Sequence, residues 1–145
     1  MTDRSQEVAD LAESIVLIVR RVRAAADDEH DLSLSERSLL GRLHRNGPAT
    51  TADLARAEHM KPQSMGAIVS SLESLGLVRR KPHPTDGRQQ LIELTPKGTA
   101  LRRSIRAAKE SWITQAVAEL PAHEQKTLFA AGAIMRRMAS NGVQQ

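Results

Sequence analysis

The sequence of 145 residues contains no cysteine, which excludes disulfide bridges, thiolate metal ligands and thiol-based redox switches. Aromatic residues are almost absent as well, since Trp112 and Phe129 are the only two and there is no tyrosine. The core must therefore be packed from Leu, Ile, Val and Ala side chains. A platform of aromatic rings that stacks the bases of single-stranded nucleic acid is not expected.

Long apolar segments and enzyme signatures are also missing. The longest uninterrupted apolar run, Ile15–Val19, is far shorter than the roughly 20 residues that cross a bilayer, and the acidic first ten residues do not resemble a secretion signal. There is no Gly-x-Ser-x-Gly nucleophile motif, no glycine-rich phosphate loop and no metal-ligand spacing among the five histidines. These absences predict a cytoplasmic protein that is not an enzyme, needs no metal or cofactor and does not contact a membrane.

Charge is distributed unevenly along the chain, whose formal net charge is +4. Residues 1–31 contain eight acidic and four basic residues, whereas residues 32–98 contain ten basic and six acidic ones. Residues 99–145 contain seven basic and three acidic residues, and arginine outnumbers lysine by 16 to 5. Basic segments of this kind indicate a polyanionic partner, although a GC-rich coding sequence would also enrich arginine.

Apolar spacing predicts long helices at both ends of the chain. Residues 8–25 carry an apolar side chain at every third or fourth position, which is typical of a helix that packs on one other helix or on its own copy. This stripe consists of Val8, Leu11, Ile15, Ile18, Val22 and Ala25. A second helix of roughly 24 residues through Trp112 would be about 36 Å long, more than a small core needs. Pro121 ends it, and Ala122–Met138 forms a last helix.

Three short helices and a hairpin are predicted between these ends. The helix starts are marked by Ser33 with Glu36, by Thr50 and by Pro62, and two of the ends by Asn46-Gly47-Pro48 and Gly76. The period then changes to alternation, which predicts strands at Leu77–Lys81 and Gln89–Thr95 around the turn formers of residues 82–88. We call this hairpin the wing. Thr95 then caps the next helix, with Pro96 at its first position.

Two short helices joined by a tight turn and followed by a hairpin with a basic tip indicate a winged helix-turn-helix. Its second helix can enter the major groove of duplex DNA, and an arginine of the wing can enter the neighbouring minor groove. We therefore predict a mainly α fold with a small β-hairpin wing. A winged helix-turn-helix domain at residues 33–98 would be flanked by dimerisation helices at residues 1–32 and 99–145.

In these segments the chain resembles the MarR family of bacterial transcription regulators, over essentially its whole length. The matching motifs are Asn46-Gly47-Pro48 with Thr51–Ala55, Lys61–Met65, Leu72–Val78, Pro84–Arg88 and Leu94–Gly98. The resemblance implies a homodimer whose terminal helices interlock. It also implies a repressor that binds palindromic DNA sites and leaves them when a small anionic aromatic molecule binds.

The resemblance and the helix geometry together give a set of DNA-contacting residues. They are Thr50, Thr51, Lys61, Pro62, Gln63, Ser64, Gly66, Ala67, Arg79, Arg80, Lys81, Asp86 and Arg88. Gln63 can read adenine with two hydrogen bonds, whereas Gly66 and Ala67 permit close approach to thymine methyl groups. Family members often carry arginine or threonine on this helix face, so the small residues imply a weaker or more hydrophobic readout.

Roles in the wing follow in the same way. Arg88 matches the family's wing arginine, and Asp86 matches the acid that orients it. Strand alternation sends Arg80 to the face opposite Arg79 and Lys81, so not all three are expected to contact phosphate. His83 beside the wing is expected either to contact phosphate or to be a solvated loop side chain.

The sequence says least about an effector. By resemblance, the family's pocket lies between the dimer helices and the winged domain, and His44 and Trp112 are candidate lining residues, although a lone Trp in the apolar stripe of a helix is more often a core residue. The lack of cysteine favours ligand binding over thiol oxidation as the trigger. One alternative for the whole chain stays open: a helical dimeric module that binds another protein through its acidic arm, without specific DNA binding.

Overall fold

The structure, a computed structural model, describes residues 3–27 and 30–141, which form six helices and three strands. The elements in chain order are α1 Arg4–Ala25, α2 Leu34–Asn46, β1 Ala49–Thr50, α3 Thr51–Ala57, α4 Pro62–Ser74, β2 Val78–Pro82, β3 Gln90–Leu94, α5 Pro96–Ala118 and α6 Ala122–Asn141. This confirms the mainly helical fold with a small hairpin. None of the helices in the described ranges is both long enough and apolar enough to cross a membrane.

The chain divides into two compact units. The central unit is Arg23–Ala108, and the helical unit combines Met1–Val22 with Lys109–Gln145. Helix α5 therefore contributes its first half to the central unit and its second half to the helical unit.

The central unit is built around one hydrophobic core. Its fully buried side chains come from α2, α3, α4, the two long strands and the residue before β2, and in the helices and strands they recur at the spacing of each element. They include Leu39, Leu40, Leu54, Met65, Val69, Leu72, Leu77, Val78 and Ile92. All of these are aliphatic or Met, as the shortage of aromatic residues predicts, so packing of branched side chains holds the unit together.

Local capping fixes where the helices of the central unit begin and end. The Ser33 hydroxyl accepts a hydrogen bond from the Glu36 backbone at 3.1 Å, and the Glu36 carboxylate accepts one from the Ser33 backbone at 3.3 Å. Helix α4 ends in a Schellman motif at Gly76, which has a φ of +74°. Both capping predictions are confirmed, because such signals depend on residues three or four positions apart.

The sheet has three antiparallel strands in the order β1-β3-β2. Strand β2 begins and ends one residue later than predicted, and β3 is one residue shorter than predicted at each end. Strand β1 was not predicted: Ala49 pairs with Ile92 and Thr50 with Leu91. Two residues are too few to show the alternation by which a strand is recognised in a sequence.

The start of α5 is tied to the turn between α4 and β2. The Thr95 hydroxyl donates to the carbonyl oxygen of Gly76 at 2.5 Å and accepts from the backbone N–H of Gly98 at 3.0 Å. A Cβ atom at Gly98 would overlap the carbonyl oxygen of Leu77. The Leu94–Gly98 motif therefore positions the wing against the core, and only glycine fits its last position.

The helical unit consists of long helices with little burial. Helices α1 and α6 contain no buried residue. Their exposed apolar side chains include Val8, Leu11, Ile15, Ile18, Leu128, Phe129 and Met138. Within the unit, the guanidinium carbon of Arg21 lies 5.9 Å from the centroid of the Trp112 ring, a cation–π distance.

Candidate nucleic-acid interface

Helix α4 presents a polar, small-residue face at its N-terminal end. Pro62 is its first residue, and its missing N–H costs nothing there. Met65, Val69 and Leu72 are buried. The side chains of Gln63, Ser64 and Ala67 are exposed, Gly66 is half-buried, and a Cβ atom at Gly66 would meet nothing within 4 Å. We call residues 63, 64, 66 and 67 the reading face. The predicted exposure is confirmed for Gln63, Ser64 and Ala67, whereas Gly66 is only partly exposed.

Helix α3 packs against α4 and completes the helix-turn-helix. Its N-cap residue Thr50 is only 8% exposed, and its hydroxyl accepts a hydrogen bond from the backbone N–H of Asp53 at 3.1 Å. Thr51 is half-buried. The Thr50 side chain is therefore engaged in capping, and the reading face and the wing are the more accessible parts of this surface.

The tip of the wing is organised by His83 and Asp86. Nδ1 of His83 accepts hydrogen bonds from the backbone N–H groups of Thr85, at 3.2 Å, and Asp86, at 3.0 Å. Both bonds require an unprotonated Nδ1. The half-buried His83 is thus part of the turn, and the expectation of a solvated loop side chain is wrong.

Asp86 acts on the backbone of Arg88. One of its carboxylate oxygens accepts a hydrogen bond from the Arg88 backbone N–H at 3.0 Å, and its carbonyl oxygen accepts one from Gln89 at 3.1 Å. These contacts fix the chain direction at Arg88 while its side chain is exposed. Asp86 therefore contacts Arg88 through its backbone, and the orientation of the Arg88 side chain by Asp86 stays a prediction.

Three cations at the base of the wing are paired with carboxylates. Arg79 donates from Nε to one Glu93 oxygen at 2.7 Å, and Lys81 Nζ lies 2.8 Å from the other. These hydrogen bonds from Lys81 and Arg79 hold the pKa of the Glu93 carboxyl below its usual range.

Arg80 points to the opposite face of the strand. Its guanidinium lies 3.3 Å from the Glu73 carboxylate and 3.4 Å from the Ser70 hydroxyl, both on α4. The predicted alternation of residues 79–81 is confirmed. Whether any of the three reaches phosphate stays a prediction.

Two other cations of this surface are unpaired. Within the part of the chain that the structure describes, the side chains of Lys61, before α4, and Arg88, in the wing, are exposed and have no carboxylate partner. A phosphate that contacts them has no internal anion to displace.

Glu93 and Glu73 were missed by sequence reasoning. Arg79 stands directly opposite Glu93 in the β2–β3 pairing. An acidic residue in the second strand could have been predicted as the partner of Arg79. That prediction requires the register of the hairpin, and the predicted strand bounds left the register uncertain by one residue.

The two candidate effector residues lie in different units. His44 is an exposed residue of α2 in the central unit, whereas Trp112 is half-buried in the helical unit beside Arg21. In the described ranges, no group of three His, Asp or Glu side chains is arranged to hold a metal ion.

Comparison with known proteins agrees with this geometry. The sequence profile of the MarR family matches residues 30–89. An uncharacterized HTH-type transcriptional regulator of Mycobacterium bovis is 33% identical over 136 residues, covering 93% of this chain and 94% of the relative. The HTH-type transcriptional repressor Rv2887 of Mycobacterium tuberculosis is 29% identical over 109 residues, covering 75% of this chain and 78% of the repressor.

One solved structure with the same fold contains DNA. A point mutant of Staphylococcus aureus MepR, bound to an oligodeoxyribonucleotide, superposes with a TM-score of 0.67 at 18% identity, covering 96% of this chain and 99% of MepR. Fold and relatives together define the class, a winged helix-turn-helix transcription regulator. The chain belongs to the MarR family, and the relatives named here are regulators of transcription rather than enzymes.

Proposed function

We propose that the protein is a homodimeric repressor that binds palindromic duplex DNA and is released by a small anionic aromatic ligand. The reading face of α4, together with the unpaired cations Lys61 and Arg88, is the observation that carries the DNA-binding part. Genomic DNA lies in the cytoplasm of the bacteria to which the relatives belong, so we also place its action there.

The reading face supports docking of α4 in the major groove. Gln63 offers an amide that can bond adenine at two positions, and Ser64 can donate to or accept from base edges. Gly66 and Ala67 add no bulk, so the helix can approach thymine methyl groups closely. We assign base reading to these four residues.

Phosphate contacts are assigned to the surroundings of this face. Lys61 and the backbone at Pro62 precede the first turn of α4, whose free N–H groups favour anions. Thr50 and Thr51, at the start of α3, contribute through their backbone. Arg88 is assigned to the minor groove. The remaining assigned contacts are Arg79, Arg80, Lys81 and Asp86. Asp86 contributes indirectly, through its hydrogen bond from the backbone N–H of Arg88.

The exposed apolar side chains of α1 and α6 support the dimer. Ile15 is 39% exposed, Ile18 49% and Phe129 64%, which is unusual for side chains that contribute most stability when buried. A palindrome requires two copies of α4 one turn of DNA apart, about 34 Å, and a second copy of the chain would supply the second of them.

Repression and release by ligand rest on the relatives and on local chemistry. One relative is named a repressor. Trp112 offers an aromatic face beside the Arg21 guanidinium, a pairing that suits an aromatic carboxylate. His44, in the central unit, is a separate candidate for contact with a ligand through its exposed imidazole. A ligand shifts the dimer away from the DNA-binding form only by its differential affinity for the two forms.

A binding titration tests this function. Labelled duplexes from upstream of the protein's own gene and scrambled duplexes of equal length are titrated at several salt concentrations. We expect tighter binding to one upstream duplex, loss of binding with millimolar salicylate, and no change with mild peroxide. Failure to bind any duplex at low salt would contradict the proposal and favour a protein-interaction module.

Indifference to every aromatic acid tested would remove only the ligand-gated part. If peroxide abolished DNA binding and a thiol reductant restored it, release would be triggered by oxidation rather than by ligand binding, which would contradict this part of the proposal.

A further inference from the structure

The base of the wing carries an arrangement that DNA binding alone does not require. Each oxygen of the Glu93 carboxylate receives a different cation, Arg79 at 2.7 Å and Lys81 at 2.8 Å. The Glu93 side chain is 17% exposed, whereas Arg79 is 60% exposed and Lys81 43%. The carboxylate thus lies beneath two cations that both reach solvent.

This arrangement places a fixed anion where a DNA phosphate would bind. Arg79 and Lys81 already have a carboxylate partner, so together they neutralise less phosphate charge and release fewer of the counter-ions condensed on the DNA. Arg79, Lys81 and Glu93 together carry one net positive charge rather than two. Phosphate must therefore compete with Glu93 for the hydrogen-bond donors of both side chains.

The opposite face of the strand offers a contrast. Arg80 and Glu73 are 3.3 Å apart, Glu73 is 43% exposed, and the Ser70 hydroxyl shares the contact. That pair joins the wing to α4 and involves a single cation. Glu93 differs because one partly buried carboxylate neutralises two exposed cations at once.

We propose that Glu93 is an internal counter-ion that limits the affinity of the wing for DNA of any sequence. This inference rests on the proposed DNA-binding function and adds to it a residue that sets the salt range in which the protein leaves DNA. Glu93 acts through Arg79 and Lys81, and is therefore a positioning residue rather than a DNA contact.

The test is the Glu93→Gln variant, which keeps the size of the side chain and removes its charge. Its affinity for operator and for scrambled duplex should both rise about tenfold at about 0.1 M salt, and the plot of log affinity against log salt should steepen by about one unit. Because the pKa of Glu93 is lowered, the carboxylate is ionised throughout the neutral range, and this difference should be constant from about pH 6 to 8.

Two matched variants separate this effect from others. Glu119→Gln, an exposed position in the helical unit, makes the same change in net charge and should leave the salt slope unchanged. Glu93→Asp keeps the negative charge on a shorter side chain, and its salt slope should be close to that of the wild type.

Several results would overturn the inference. Equal or weaker binding by Glu93→Gln would do so, as would a similar gain in Glu119→Gln. If the wild type binds no duplex, the proposed function itself is wrong. If the wild type binds DNA and the Glu93→Gln variant binds with the same affinity and salt slope, only the counter-ion role of Glu93 is contradicted. If Glu93→Gln unfolds, a Glu93→Asp slope steeper than that of the wild type would contradict it.

Discussion

The two units of this protein differ in the burial of their apolar residues. In the described part of the chain, the buried hydrophobic residues all lie between Ala26 and Ile105, inside the central unit. The large exposed ones, apart from Leu34, all lie in the helical unit. The central unit thus contains its own core, whereas the helical unit leaves apolar area in water that a second copy can cover.

The difference indicates that the two units are stabilised in different ways. The central unit combines periodic apolar residues with helix caps and turn formers, so each local preference agrees with the same packed structure. The helical unit has helix-forming segments, but its apolar stripes find no burial within the unit. Stability of the first should therefore depend on internal packing, and that of the second on protein concentration.

The largest effect is expected where the central unit is most tightly packed, at Gly98. In Gly98→Ala the new methyl group would overlap the carbonyl oxygen of Leu77. The oxygen belongs to the backbone and the methyl carbon is attached to it, so neither can rotate away and the start of α5 must move. We expect a loss of about 3 kcal/mol in the free energy of unfolding, measured by urea denaturation.

Gly41→Ala in α2 is the matched control. Its Cβ atom would meet only the ends of two flexible side chains, Arg45 at 3.1 Å and Arg102 at 3.3 Å. Both are long, flexible side chains, so they can move by the few tenths of an ångström that the new methyl group requires. We expect a gain between zero and about 1 kcal/mol. Equal losses at both positions would contradict the packing argument.

The second prediction concerns the helical unit. Replacing Ile15 and Ile18 together by lysine places two charges in the apolar stripe of α1, which should prevent a second copy from covering it. Sedimentation at micromolar concentration should show twice the chain mass of 15.9 kDa for the wild type and the single mass for the variant. Operator affinity should fall about 100-fold, because each half-site is then bound separately.

Ser14→Lys on the same helix adds a charge at an exposed polar position and serves as the control, which should stay dimeric. A wild type that sediments as a monomer would show that these apolar helices need another explanation.

The smallest of these effects is expected at the tip of the wing. His83→Ala removes the acceptor of two backbone hydrogen bonds and should loosen the turn that precedes Arg88. We expect DNA affinity to fall about threefold to fivefold, which corresponds to at most about 1 kcal/mol, roughly the net contribution of one such bond, and we expect an unchanged salt slope. His83→Asn, whose side-chain oxygen can accept from the same turn, should recover part of the loss. Equal affinities of wild type and alanine variant would show that the turn forms without His83.

Much of the fold could be predicted because its signals are local. Ser33, Thr50, Pro62 and Gly76 each act through residues at most a few positions away, and the structure confirms the helix starts and ends they predict. The exposed face of α4 followed from the same periodicity.

What was missed depends on contacts between distant segments. The pairing of β1 with β3, the contacts of Glu93 and the fit of Gly98 against Leu77 each join residues that are brought together only by the fold. His83 was misjudged for a related reason, since its acceptor role appears only once the turn has closed around it.

Binding of a specific duplex by the reading face and the wing is tested by the salt dependence of the Arg88→Ala variant. On the operator, this variant should bind about tenfold more weakly than the wild type, with a salt slope flatter by about one unit. Arg136→Ala on α6, which removes one exposed charge from the helical unit, should match the wild type in both quantities. An Arg88→Ala variant with unchanged affinity and unchanged slope would show that the wing does not contact DNA through Arg88.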